Sequence, residues 1–289
     1  MADTRTPISS VARGPGRCPP PRSPGLTGLP ARLAVVVVAL AVAAGAVVGV
    51  RWATTPAAGP PAPEVPAARV EAADVEPNSV APAQAADPLP APEPQAAAQG
   101  SDPLRAWADR LADRTGVPAR ALMAYGNAEL VVGSTTPGCR LSWATLAGIG
   151  RVESDHGRYA GAVLGADGRP SIPIIGVPLD GSAGVKAIGD TDGGEFDGDP
   201  TVDRAVGPMQ FIPSTWRQWA ADADGDGRGD PQRLDDAALA AGRYLCAGGR
   251  DLGAPAGWWA AVFSYNNSVE YGQKVFGLAD GYARAAAGG

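Results

Sequence analysis

The chain of 289 residues contains one histidine, His156, and three cysteines. A single histidine with no second nitrogen or sulfur ligand makes a poor zinc site, and no CxxC or His-Cys cluster compensates. No basic stripe runs through the C-terminal part, and the formal net charge is −6, so a nucleic-acid partner is not expected. Roughly the first hundred residues have little with which to build a core. Apart from one apolar run, Pro, Ala and Arg dominate there, and the linker part has no repeat of fixed period. The remainder, 101–289, is long enough for one domain with a sizeable core.

Residues 1–32 form a basic, Pro-Gly-rich tail. Leu33 to Val50, LAVVVVALAVAAGAVVGV, carries no charge and is near the minimum length for a spanning helix. With Trp52 at the far interface, 33–52 reads as a transmembrane helix or signal anchor. The arginines before it place the tail in the cytoplasm. The expected location is the cell membrane, single-pass, with the C-terminal part outside the cytoplasm. Secretion after cleavage of a long signal peptide is the alternative. Residues 53–100 are Pro/Ala-rich and read as an extended, unfolded linker. Cys139 and Cys246 then face an oxidising compartment and can pair. Two free buried thiols remain the other reading.

Within 101–289, Ser101-Asp102-Pro103 caps a helix to about Asp113, and Val117-Pro118 opens a second. In LSWATLAGIGRVESDHGRY, Leu146, Ile149 and Val152 recur at helical spacing behind the N-cap Ser142, with Gly157 as the stop. Glu153 shares their stripe. A carboxyl on an apolar face, near the negative end of a helix, should have a raised pKa. Protonated near neutral pH, it can give a proton to a glycosidic oxygen. Asp155, two residues on, points to another face and is read as solvated or capping. His156 is expected to cap the helix end or sit at a groove edge. Arg158 to Arg204 is a Gly-, Asp- and Pro-rich insertion, expected as a groove wall or lid. Helices follow from Pro213 or Ser214, from Asp235 or Asp236, and through GWWAAVFSYNNSVEYGQKVFGLADGY. The fold class is mainly α (α+β): a single helical domain with a long irregular insertion.

Asp222, Asp224 and Asp226 alternate, with Gly227 at the sixth place, as in the first half of an EF-hand loop. Arg228 would offer its carbonyl, and Asp230 stands at the ninth place. The twelfth place holds Arg233 instead of a bidentate glutamate, so Asp235 or Asp236 substitutes or the site is weak. The acids at 190, 192, 197, 199 and 203 fit no metal loop.

RVESDHGRY, GPMQFIPSTW, DADGDGRGD and AVFSYNNSVEYGQKV, in that order, resemble the membrane-bound B-type lytic murein transglycosylases and their actinobacterial relatives. The resemblance spans about Leu104 to Tyr282. It implies a lysozyme-like fold in which Glu153 is the single catalytic acid and base. It implies cleavage of the β-1,4 bond between N-acetylmuramic acid and N-acetylglucosamine in peptidoglycan, leaving a 1,6-anhydro end. By position, it implies substrate binding by Gln210, Phe211, Tyr265, Asn266 and Asn267. A structural calcium ion at Asp222, Asp224, Asp226, Arg228 and Asp230 also follows from it, with no cofactor for the chemistry. The expected partners are glycan strands and, through the N-terminal helix, the membrane; the expected state is monomeric. A lysozyme-type hydrolase, or an inactive wall-binding protein of the same fold, are the competing readings.

Overall fold

In a computed structural model, residues 66–84, 102–182 and 185–288 are described. They belong to one compact unit, Pro63–Gly289. The tail and the candidate span at 33–52 lie outside them. Among the described residues, no helix is long and apolar enough to cross a membrane.

Among the described residues, seven α-helices carry the fold. Helix α1, Pro103–Thr115, starts where the Asp102 carboxylate accepts the Leu104 and Arg105 amides, and it ends on left-handed Gly116. Helix α2, Ala119–Thr135, follows Pro118. Helix α3, Trp143–Ser154, is capped by Ser142, whose hydroxyl accepts the Ala144 amide. The remaining helices are α4 (Pro213–Trp219), α5 (Leu234–Leu245), α6 (Pro255–Tyr265) and α7 (Val269–Ala287).

Helix α3 is the centre. Its periodicity predicts one buried stripe, but all of its residues except Arg151 and Glu153 are buried. The small residues explain this. Gly148 has no side chain to hold off α7, and a Cβ there would come within 2.9 Å of the Val275 carbonyl. Helices α2 and α7 pack on α3, and α2 also packs on α1 and α5. Trp107, Trp143, Trp216, Trp258 and Trp259 fill the core between them.

A disulfide joins Cys139, just before α3, to Cys246, at the end of α5. Beside it, the Leu252 amide donates to the Cys139 carbonyl. The insertion holds two short antiparallel strands, β1 (Ile175–Pro178) and β2 (Arg204–Val206), besides isolated bridges. The long last helical stretch is broken. The Asn266 backbone is extended, and the Ser268 hydroxyl accepts the Tyr271 amide, starting α7 afresh.

The linker reading of 53–100 does not hold for 66–84. Pro66–Arg69 forms a 3-10 turn against α3, and the rest runs along α6 and α7. The Trp259 indole donates to the Val80 carbonyl (2.9 Å) and Gln273 Nε2 to the Val75 carbonyl (3.0 Å). The Ala73 amide donates to the Gln273 carbonyl (3.3 Å) and the Ala83 amide to Asp280 (2.9 Å). Beyond that turn, proline keeps this segment from forming regular helix or sheet of its own. It does not stop an extended chain from lying on another surface.

Candidate active site

Glu153 sits on the last turn of α3, half-buried. Its Oε1 accepts a hydrogen bond from the Tyr271 hydroxyl, 2.6 Å away on the first turn of α7. Burial pushes the carboxyl up to about 7, and the bond from Tyr271 opposes that shift. Tyr271 is itself pushed well above its ordinary value, first by burial and then by the Glu153 charge, so it remains a donor. The carboxyl is therefore poised to hold and release a proton near neutral pH.

Bonded to the residue after Glu153 is the turn after β2. Val206 and Phe211 exchange both backbone hydrogen bonds, at 2.8 and 3.0 Å, closing a tight loop over Gly207 to Gln210. Gly207 is left-handed and has no room for a Cβ, which would fall 1.7 Å from the Pro231 carbonyl. This loop is bound to α3 and α6 by two short bonds of 2.6 Å. Ser154 donates to the Pro208 carbonyl, and Tyr265 donates to the Met209 carbonyl. The residue after Glu153 and the end of α6 thus hold one turn between them.

The residues expected to bind substrate separate into three kinds. Gln210 is left-handed (φ 49°), and its amide nitrogen donates to Gly207 (3.0 Å) while its oxygen lies against Gly176 of β1. Phe211 does not line a groove: it is 3% exposed and packs edge-on to Trp216 and Tyr265. Its ring is part of the core because its backbone closes the turn. The phenol of Tyr265 is committed to Met209. Asn266 and Asn267 lie exposed in the break between α6 and α7. Tyr271 was not singled out in the sequence, although it lies inside AVFSYNNSVEYGQKV. Its place one turn after a Ser cap is a signal for a helix start, but none for a partner 118 positions earlier.

His156 is neither exposed nor a cap through its ring. Its imidazole is buried, although its amide does cap α3 by donating to Gly150 (2.9 Å).

Asp222, Asp224 and Asp226 bring carboxylate oxygens within 4.8 Å of one another on the surface. The other expected carboxylates, Asp230, Asp235 and Asp236, are engaged elsewhere. Arg233, from the twelfth place, pairs closely with Asp224 and lies 3.5 Å from Asp226. Asp230 pairs with Arg169. Asp235 accepts from Arg120 Nη1 (3.0 Å). Neither it nor Asp236 caps α5, whose N-cap is Arg233. Buried Asp236 closes the loop by accepting the Ala223 and Asp230 amides at 2.8 and 3.0 Å. Three acids fit a cation, and the arginine already brings positive charge to two of them. A second acidic group, Asp190, Asp192 and Asp203, also brings its oxygens within 4.8 Å, and in both groups each carboxylate accepts backbone amides of its own loop.

Residues 201–263 match the family model described as Transglycosylase SLT domain. The matched stretch, less than half of the chain, is lytic-transglycosylase-like. It includes Gln210, Phe211, the Asp loop and Cys246. No curated protein and no solved structure matches the chain. Such a domain implies an enzyme that cleaves glycosidic bonds in peptidoglycan, and the mainly helical fold agrees with a lysozyme-like domain of that kind. Glu153 and Tyr271 lie outside the matched residues. Ser154 and Tyr265 link them physically to the matched Gly207–Gln210 turn.

Proposed function

We propose that this domain is a peptidoglycan lytic transglycosylase with Glu153 as its only acid and base. The observation that carries this reading is the Glu153 carboxyl itself. It is desolvated at the end of a buried helix, bonded to Tyr271, and fastened beside the transglycosylase-like turn. Protonated Glu153 gives its proton to the leaving oxygen as the bond from that oxygen to C1 of N-acetylmuramic acid breaks. The substrate's N-acetyl carbonyl meets the positive charge at C1, so no protein nucleophile is required. The 6-hydroxyl oxygen then bonds to C1, and the Glu153 carboxylate takes its proton. The glutamate returns protonated and the product is a 1,6-anhydro sugar. A carboxyl titrating near neutrality serves both halves.

Gln210 and the exposed Asn266 and Asn267 are the polar groups proposed to meet the sugar, with Phe211 and Tyr265 bracing them from behind. The relatives proposed are the membrane-bound B type. The proposed location is the cell membrane through 33–52, with a monomeric domain outside the cytoplasm. A formed Cys139–Cys246 bridge supports an oxidising compartment. Calcium is proposed as a weak structural ligand of Asp222, Asp224 and Asp226, with the Arg228 carbonyl and Asp230 completing the set. It would have to displace Arg233 and draw Asp230 from Arg169, and it plays no part in the chemistry.

The test is digestion of purified peptidoglycan by the full chain and by Glu153→Gln. Wild type should release muropeptides one water lighter than reducing-end products. The variant should be folded and lose at least the ~10²-fold that general acid catalysis supplies. Products with a reducing end would make the enzyme a hydrolase. Near wild-type release by the variant would remove Glu153 from the chemistry.

A further inference from the structure

The turn that follows Glu153 is held in a conformation that its residues do not favour. Asp155 and His156 are both left-handed, with φ of 52° and 59°, and Gly157 follows at 82°. Only the glycine adopts this region without cost, and strained backbone persists only where its surroundings impose it. Here the surroundings are visible. The Asp155 amide donates to Arg151 and the His156 amide to Gly150. The Gly157 amide donates to Ser154 Oγ at 2.8 Å. The His156 ring, 1% exposed, lies between Tyr125 of α2 and Tyr282 of α7, with centroids 5.9 and 6.3 Å away. Its Nδ1 is 3.1 Å from the Tyr125 hydroxyl.

The chemistry of the pair is defined by its neighbours. The charges of Arg151 and Arg158 act on the imidazole from its own segment, Tyr125 faces it from α2 and Tyr282 from α7, and Asp155 acts on both tyrosines. Burial first, then the charges of Arg158 and Arg151, push His156 down to about 3. The ring is therefore neutral at physiological pH, and its tautomer sets which partner of the Tyr125 hydroxyl–Nδ1 bond donates. Tyr125 also presses on α3 directly. Its oxygen occupies the space a Cβ would take at Gly150, 2.0 Å from that position. Gly150 lies one helical turn before Glu153, so the pair holds the helix from which the carboxyl projects and the turn that ends it. The proton transfers proposed for Glu153 use neither residue.

We propose that His156, hydrogen-bonded to Tyr125, is a positioning residue that locks the left-handed turn and so keeps the Glu153 carboxyl against Tyr271 and only half open to water. This rests on the reading of Glu153 as the reacting acid. When the lock is lost, the turn relaxes, α3 frays from its end, and more water reaches the half-buried carboxyl. The groups facing that carboxyl are Tyr271 from α7 and Tyr265 from the end of α6. Neither adds a positive charge, so added solvation moves its titration down towards an ordinary glutamate.

The experiment follows Glu153 directly, by carboxyl 13C NMR titration of the full chain, alongside muropeptide release. Tyr125→Phe deletes only the hydroxyl, His156→Ala removes the ring, and His156→Asn keeps an acceptor near the Nδ1 position on a residue that tolerates the left-handed region. Tyr125→Phe and His156→Ala should lower the Glu153 midpoint by about one pH unit, with His156→Asn nearer wild type. Turnover should fall about tenfold with KM changed less than about twofold, since misplacing a reacting group costs rate more than binding. Should His156→Ala fail to fold, Tyr125→Phe decides. A cooperatively folded Tyr125→Phe with the wild-type midpoint overturns the proposal. If wild type itself releases no muropeptides, the enzymatic reading fails, and the titration still decides whether the pair governs this carboxyl.

Discussion

At the scale of single residues, the site is a balance of two effects on one carboxyl. Burial raises its pKa to about 7, and the Tyr271 hydroxyl, by favouring the ionised form, holds it back. A general acid works while protonated, so cleavage should decline as pH rises through about 7. Tyr271→Phe removes the restraint. The descending limb of kcat/KM should then move upward by roughly half to one pH unit, read from muropeptide release across pH. A limb that stays put, or moves down, would mean that the bond does not act on the titrating group. Stability follows the same sign. A carboxyl that titrates higher when folded than at its ordinary 4.5 stabilises fully below that value. That contribution is lost as pH rises through about 7. Glu153 was legible in the sequence because helical periodicity puts it on a buried stripe. Tyr271 was not, because what brings it to Glu153 is the packing of α7 across α3. No local pattern records which of several aromatic residues ends up at that crossing.

At the scale of elements, a side-chain cap or a proline made helix starts legible at Asp102, Ser142 and Pro213, whereas Pro255 and Ser268 mark the starts of α6 and α7, which read in the sequence as one helix. The break at Asn266–Asn267 was missed because apolar periodicity continues on both sides of it. The Asp loop shows the limit of spacing arguments. Its alternation is that of a calcium loop, but the residue at the twelfth place reverses the charge and pairs with two of the would-be ligands. A divalent ion must compete with a tethered guanidinium, which places affinity at the weak end, roughly 10⁻⁴–10⁻³ M or poorer. Arg233→Glu replaces the competitor with the missing acid. If this brings the dissociation constant to about 10⁻⁵ M, a few millimolar calcium stands about a hundredfold or more above it and binding contributes about 2.7 kcal/mol, so this variant's melt should rise clearly. Wild type should respond less, and magnesium should do less in both. Equal calcium responses in wild type and variant would show that Arg233 does not compete for the site.

At the scale of the whole molecule, the site is assembled from stretches far apart in the chain: the end of α3, the turn after β2, and the two sides of the α6–α7 break. The order of the motifs in sequence announces these pieces, and the fold adds what clamps them. The addition least expected is the segment 66–84. Its composition predicts an extended, unfolded chain, yet it forms the Pro66–Arg69 turn and then lies on α6 and α7. Composition says nothing of whether such a chain finds carbonyl and amide partners on a neighbour. Here it finds Trp259 on α6, and Gln273 and Asp280 on α7. Val70, Val75, Ala81 and Ala83 pack against the core from outside. Helix α7 carries Tyr271, so the segment braces the helix that holds the Glu153 carboxyl. A chain begun at residue 101 would leave the Trp259 indole without its Val80 acceptor and expose the covered apolar surface. Each hydrogen bond contributes only about 1 kcal/mol net, but a buried donor left unpaired costs about 1–3 kcal/mol. A total loss of about 2 kcal/mol corresponds to a melting temperature lowered by about 4–8 °C in a domain of this size. Thermal melts of 63–289 and 101–289 should differ by that amount. Muropeptide release by the shorter chain should have its descending pH limb displaced, because α7 is less firmly held. Identical melts and identical pH profiles would mean that 66–84 rests on α7 without supporting it.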